Sequence, residues 1–193
     1  MASKFIFTVY VALLLSGCAT SHKQTIFIED QPSNHAWWLR TVFNPSGTKI
    51  MGIPVHQIEK SWCKANELEQ DAFPKVGMGP ESENLSSLIN NYNSSFSLLL
   101  SPKKELQYRV SVGIYETCSK EKGTFALYLA KQDNKKYKVI YHEIISSSPS
   151  FAILHPVSNS QFEIWHCFEC DDINIYKWSQ ESKRFILEER EDH

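Results

Sequence analysis

The sequence predicts a mainly β fold: an antiparallel meander forming a sandwich or curved open sheet, with one short helical segment near residues 57–72. Three observations carry that expectation. Runs rich in β-branched and aromatic residues recur along most of the chain. The connections late in the chain are short and polar, as hairpin turns are. In Tyr108-Arg109-Val110-Ser111-Val112-Gly113-Ile114-Tyr115 the even positions are apolar and the odd ones mostly polar, which predicts one buried and one wet face.

The elements follow in order. Thr25–Ile28 and Ala36–Phe43 read as strands, the second closed by the turn chemistry of Asn44-Pro45-Ser46-Gly47. Ile50 to Val55 reads as another extended piece, with Pro54 arguing for an edge or a strand end. Ile58, Trp62, Ala65 and Leu68 then recur at intervals of three or four, the spacing of one helix face. Pro74 and Gly77-Met78-Gly79-Pro80 end that region, and an irregular connection with one helical turn around Leu85–Ile89 is expected next. Strands are expected at 96–100, 106–116, 125–131, 137–145, 151–155, 162–167, 173–178 and 185–189. The stretches 125–145 and 162–187 each read as strand, polar turn and aromatic-rich strand, but two such units cannot close a propeller.

The chain has 193 residues, 42% hydrophobic and 22% charged, so disordered, collagenous and coiled-coil classes are excluded. A net charge of −2 leaves no global basic field for nucleic acid. The first 18 residues are the most specific part. Lys4 precedes the apolar run 5–15, which is too short for the about 20 residues of a membrane-spanning helix. Leu15-Ser16-Gly17-Cys18 follows. This segment resembles the lipobox signal peptide of bacterial lipoproteins.

The resemblance implies cleavage after Gly17 and acylation of Cys18, which becomes a membrane-anchoring N-terminus. Several acyl chains on one residue attach durably, whereas one chain holds only reversibly. In that family an Asp after the modified Cys retains the protein in the inner membrane, and Ala19 here points to the outer membrane, facing the periplasm. Cleavage removes Lys4 and takes the side-chain charge from −2 to −3. The expected organisation is a signal peptide over 1–17, a lipidated tether over 18–24 and a single β-rich domain over 25–193.

Four further cysteines remain: Cys63, Cys118, Cys167 and Cys170. In an exported domain an even number points to disulfides, with three connectivities open. Cys167-Phe168-Glu169-Cys170 admits a redox pair, a zinc knuckle completed by His155 or His166, or a structural bridge. A redox pair wants its first Cys at a helix N-terminus, but the preceding residues are strand-like and Asp171-Asp172 disfavour a thiolate. Structural zinc sites usually carry paired knuckles, and only one CxxC exists. The expected pairing is Cys63–Cys118 with Cys167–Cys170.

Tests for catalytic chemistry fail on this sequence. His142-Glu143 lacks the second His of HExxH, and no G-x-S-x-G elbow or Walker-type loop occurs. His56 and Glu59 share a face of the expected helix without a third ligand, and Asp171-Asp172 on a strand point apart. No pattern implies a metal or other cofactor. Trp37-Trp38 are consecutive, so a regular strand hides only one of them, and the other is a candidate interaction residue. The expectation is a non-enzymatic, lipid-anchored module binding an envelope protein. The alternatives are an immunity or inhibitor protein against a toxic effector or envelope hydrolase, a hydrolase with dispersed catalytic residues, and a small-ligand carrier.

Overall fold

A computed structural model describes residues 25–28, 41–70, 73, 85–132, 137–168 and 170–188. The expected lipidation site Cys18 and the candidate contacts Trp37 and Trp38 lie outside these residues. The described elements begin with β1 (Thr25–Ile28), β2 (Thr41–Asn44), β3 (Lys49–Ile50), β4 (Ile53–Pro54) and α1 (Val55–Ile58). Next come β5 (Trp62–Glu67), α2 (Leu85–Asn91), β6 (Ser97–Lys103), β7 (Leu106–Thr117) and β8 (Lys122–Lys131). The chain continues with β9 (Tyr137–Ser146), β10 (Ile153–Ser158), β11 (Gln161–Trp165), β12 (Ile173–Ser179) and β13 (Arg184–Leu187). All described strand pairings are antiparallel, and the sheets do not close into a barrel.

The central sheet is β5-β7-β8-β9, with β6 also paired to β7. At 12 residues, β7 is long enough for β5 and β6 to share one of its edges end to end. Val112 is the joint. Its carbonyl accepts from the Leu68 N–H at 2.9 Å, and its own N–H donates to Phe96 O at 3.2 Å. Gly113 sits beside this joint because the Phe125 ring and the Asn66 carbonyl occupy the space a Cβ would need.

The second sheet is the meander β10-β11-β12-β13, and it packs on one face of the first. Val110, Val112, Ile114 and Tyr128 from β7 and β8 meet Phe151, Phe162, Tyr176 and Phe185 in the larger core cluster. Phe162 stacks on Tyr176 with ring centroids 5.1 Å apart. On one side the sheets are joined by a two-bond backbone bridge between Ser95 and Leu154, each bond 2.8 Å.

Two sequence expectations are corrected. The helix expected near 57–72 is confined to the single turn of α1, and Trp62 to Glu67 form a strand instead. The register of β5 on β7 shifts between Trp62 and Lys64, so Cys63 is a bulge residue. The bulge places Trp62 and Ala65 on the same buried face at a spacing of three, which imitates a helical period. The second correction concerns β7, where Ser111, Gly113 and Tyr115 are buried as well as their apolar neighbours. Ile50, Val55 and Ile58 cover that face over Trp62, Phe125 and Leu127, so the central sheet is apolar on both sides. The helical turn expected at 85–89 is present as α2.

Candidate binding cleft between β9 and β13

Opposite the Ser95–Leu154 side, β9 and β13 form the outer strands of their sheets, and neither pairs with a further strand among the described residues. What β9 presents here depends on an irregularity. Tyr128 pairs with Tyr141 and Leu129 with Val139, so Ile140 is an extra residue with no partner of its own. The bulge lets Tyr141 face the second sheet while Val139 packs in the other cluster. Without it, Tyr141 and Val139 would share a face.

Tyr141 lies flat on Tyr128, ring centroids 4.0 Å apart. Its hydroxyl donates to Phe185 O at 2.9 Å and accepts from the Phe185 N–H at 3.1 Å. One phenol therefore takes the place of a neighbouring strand for Phe185 on the outer edge of β13. Two residues on, Tyr176 donates to Glu143 Oε1 at 3.2 Å. The Tyr128 hydroxyl is buried nearby and makes no hydrogen bond of ordinary geometry. Residues 141–143 and 184–187 enclose a cleft of about 250 Å³.

Burial dominates the electrostatics of this side. It raises the Glu143 carboxyl above its ordinary value, against the pull of the Tyr176 hydrogen bond and the Arg184 charge. It also pushes the Tyr128, Tyr141 and Tyr176 phenols up, with Glu143 adding to each. The three phenols are therefore neutral donors and acceptors at physiological pH. His142 adds no base to Glu143. It faces the other side of β9, edge-on to Trp62 at 5.1 Å, with Nε2 3.5 Å from Glu59 Oε2. Glu59 thus meets His142, and not His56 along a helix face, because the chain is already extended at Glu59.

The cysteines form two disulfides. Cys63–Cys118 ties the start of β5 to the turn after β7, with Cα atoms 4.9 Å apart, and Cys167–Cys170 closes the loop after β11. Neither histidine weighed for zinc sits in a ligand cluster. His155 Nδ1 is 2.8 Å from Tyr92 O with its ring stacked on Trp165, and His166 Nε2 is 3.5 Å from Asn174. Among the described residues no group of three or more His, Cys, Asp or Glu is placed to hold a metal ion. A second charged cluster surrounds the buried Glu116, with Lys120, Lys64 and Lys122 at 3.1, 3.3 and 3.8 Å.

Sequence reasoning passed over Tyr128, Tyr141 and Tyr176, and weighed Glu143 only as part of an incomplete HExxH. Each lies in a strand that the sequence does predict, but which of them meet depends on register and on the bulge at Ile140. Comparison of the chain with protein-family models, curated proteins and solved structures finds no match.

Proposed function

We propose that the chain is a lipid-anchored, periplasm-facing protein that binds an envelope protein through the cleft between β9 and β13, without chemistry of its own. The observation that carries the reading is the two outer strands, neither paired further among the described residues, which carry exposed aliphatic residues, Ile186 and Leu187 of them lining the cleft. Ile140 and Ile144 on β9 and Ile186 and Leu187 on β13 are each between 43% and 46% exposed. Outer strands offer backbone donors and acceptors to an added strand, and flanking side chains supply selectivity. The outward backbone groups of Phe185 are taken by Tyr141, so a partner segment is expected to engage β13 at Leu187. A binding role is also favoured by the polar lining of the cleft, where the neutral Tyr141 phenol, the Glu143 carboxyl and the Arg184 guanidinium stand beside Ile186 and Leu187. The anchor rests on Leu15-Ser16-Gly17-Cys18.

Affinity capture of the full mature protein from its own envelope tests the reading when run beside surface variants. A partner recovered by wild type should be lost with Ile186→Asp and Leu187→Asp, both of which line the cleft. It should be kept with Leu99→Asp, which alters a 58% exposed aliphatic on β6. Capture that ignores both cleft variants overturns the site. If the captured partner is a toxin or an envelope hydrolase, the binding is inhibitory.

A further inference from the structure

We propose that the end of the central sheet carrying Lys60, Lys64 and Lys120 faces the anchoring membrane and touches its anionic headgroups; this rests on the lipid-anchor reading of Cys18. The argument starts from the tether. Six residues separate Cys18 from Thr25, and the seven Cα–Cα steps between them span at most about 25 Å when fully extended. Thr25 is in register with Asn44 on β2. The Asn44 side-chain oxygen accepts from Lys122 Nζ at 2.7 Å, and Lys122 Nζ also lies 3.5 Å from Phe43 O. The tether therefore enters the fold beside the start of β8, at the end of the sheet marked by the Cys118–Glu121 turn.

The charges at this end are divided by depth. Glu116 lies beneath the surface and is ringed by Lys64, Lys120 and Lys122. Glu59 is turned toward His142. The Lys64 and Lys120 side chains are 41% and 74% exposed. Lys60 is exposed beside Ser61, whose carbonyl accepts from the Cys118 N–H at 3.0 Å. Glu121 of the turn and Glu59, whose side chain is 37% exposed, are the acids here, so among the described residues three exposed ammonium groups stand against two carboxylates. The attraction of lysine to an anionic leaflet fades within a Debye length, about 8–10 Å, and so is useless to a distant domain. A tether of at most about 25 Å entering at this end lets these lysines come within that range, and electrostatics has only to orient a domain that is already held.

The test uses the full mature lipidated protein in bilayer discs of phosphatidylcholine, with and without phosphatidylglycerol, carrying a headgroup-attached paramagnetic lipid. Intact mass comes first. Absence of a diacylglyceryl group on Cys18 refutes the anchor reading and this inference with it. With the lipid present, amides of residues 60–64 and 118–122 should broaden, and those of the turn at 103–106 should not. Omitting phosphatidylglycerol, or introducing Lys60→Gln, Lys64→Gln and Lys120→Gln together, should weaken the broadening roughly three-fold. An unchanged amide spectrum without lipid shows that the variant is folded. Equal broadening at both ends, or none that depends on lipid charge, refutes the orientation and leaves the anchor intact.

Discussion

Glu143 and Glu116 are both inside the fold, and burial pushes both carboxyls up, yet they titrate in opposite senses. Glu143 has only phenols and the charge of Arg184 against its burial, so its value stays raised. A carboxyl whose folded value is raised contributes stability that is full below its unfolded value and lost as pH rises through the folded one. Glu143→Gln should therefore stabilise the protein at neutral pH, with an advantage that shrinks in acid; urea midpoints across pH check this, and a constant advantage would sink it. For Glu116, burial is outweighed by the hydrogen bonds and charges of Lys120 and Lys64, and its value is lowered. Its contribution is present above the unfolded value and lost as pH falls through the folded one. Glu116→Gln should be destabilising at neutral pH, and the loss should fade in acid. Tyr141→Phe keeps the stack on Tyr128 but abandons both backbone groups of Phe185, which should cost about 1–2 kcal/mol in denaturant melts. Gly113→Ala forces a methyl against Phe125 and the Asn66 carbonyl, and about 1–3 kcal/mol should be lost.

Elements differ in how far the sequence discloses them. The late strands are legible because Tyr108 to Tyr115 and its successors alternate between faces, and local turns set their order. β5 is not, since the bulge at Cys63 gives Trp62 and Ala65 a helical interval. The wet face expected of β7 disappears for another reason. Its cover is a short hairpin and a single helical turn, too small to leave a periodic signature of their own. The cleft is less legible again, because Tyr141 and Phe185 are 44 residues apart and meet only after two sheets pack. The disulfides also act at this scale. Cys63–Cys118 spans 55 residues and Cys167–Cys170 spans 3. Loop-closure entropy then predicts that Cys63→Ala with Cys118→Ala removes about 4 kcal/mol, and that loss of the short bridge removes less than half as much. Equal midpoints in urea for the two double variants would refute this ranking.

Across the whole molecule the two sheets are fastened unequally. The Ser95–Leu154 side has a backbone bridge, and the cleft side is held by the hydroxyls of Tyr141 and Tyr176. Hydrogen exchange should therefore protect β7 and β8 most and release β13 early, with Tyr141→Phe speeding β13 alone. The disulfide at Cys63 adds a direction in time. β7, β8 and β9 are successive hairpins that need only local chain closure, whereas β5 must return across about 50 residues to find its edge. Its cysteine meets Cys118 only once that return is made, while Cys167 and Cys170 are neighbours from the moment they are synthesised. In a reduced, unfolded chain allowed to refold with oxidant, the thiols of Cys63 and Cys118 should stay open to alkylation after the amides of β7 and β8 are protected. Oxidation of this pair then records the arrival of the last strand of the central sheet, and a trapped chain with those thiols free is one that stalled before β5 docked.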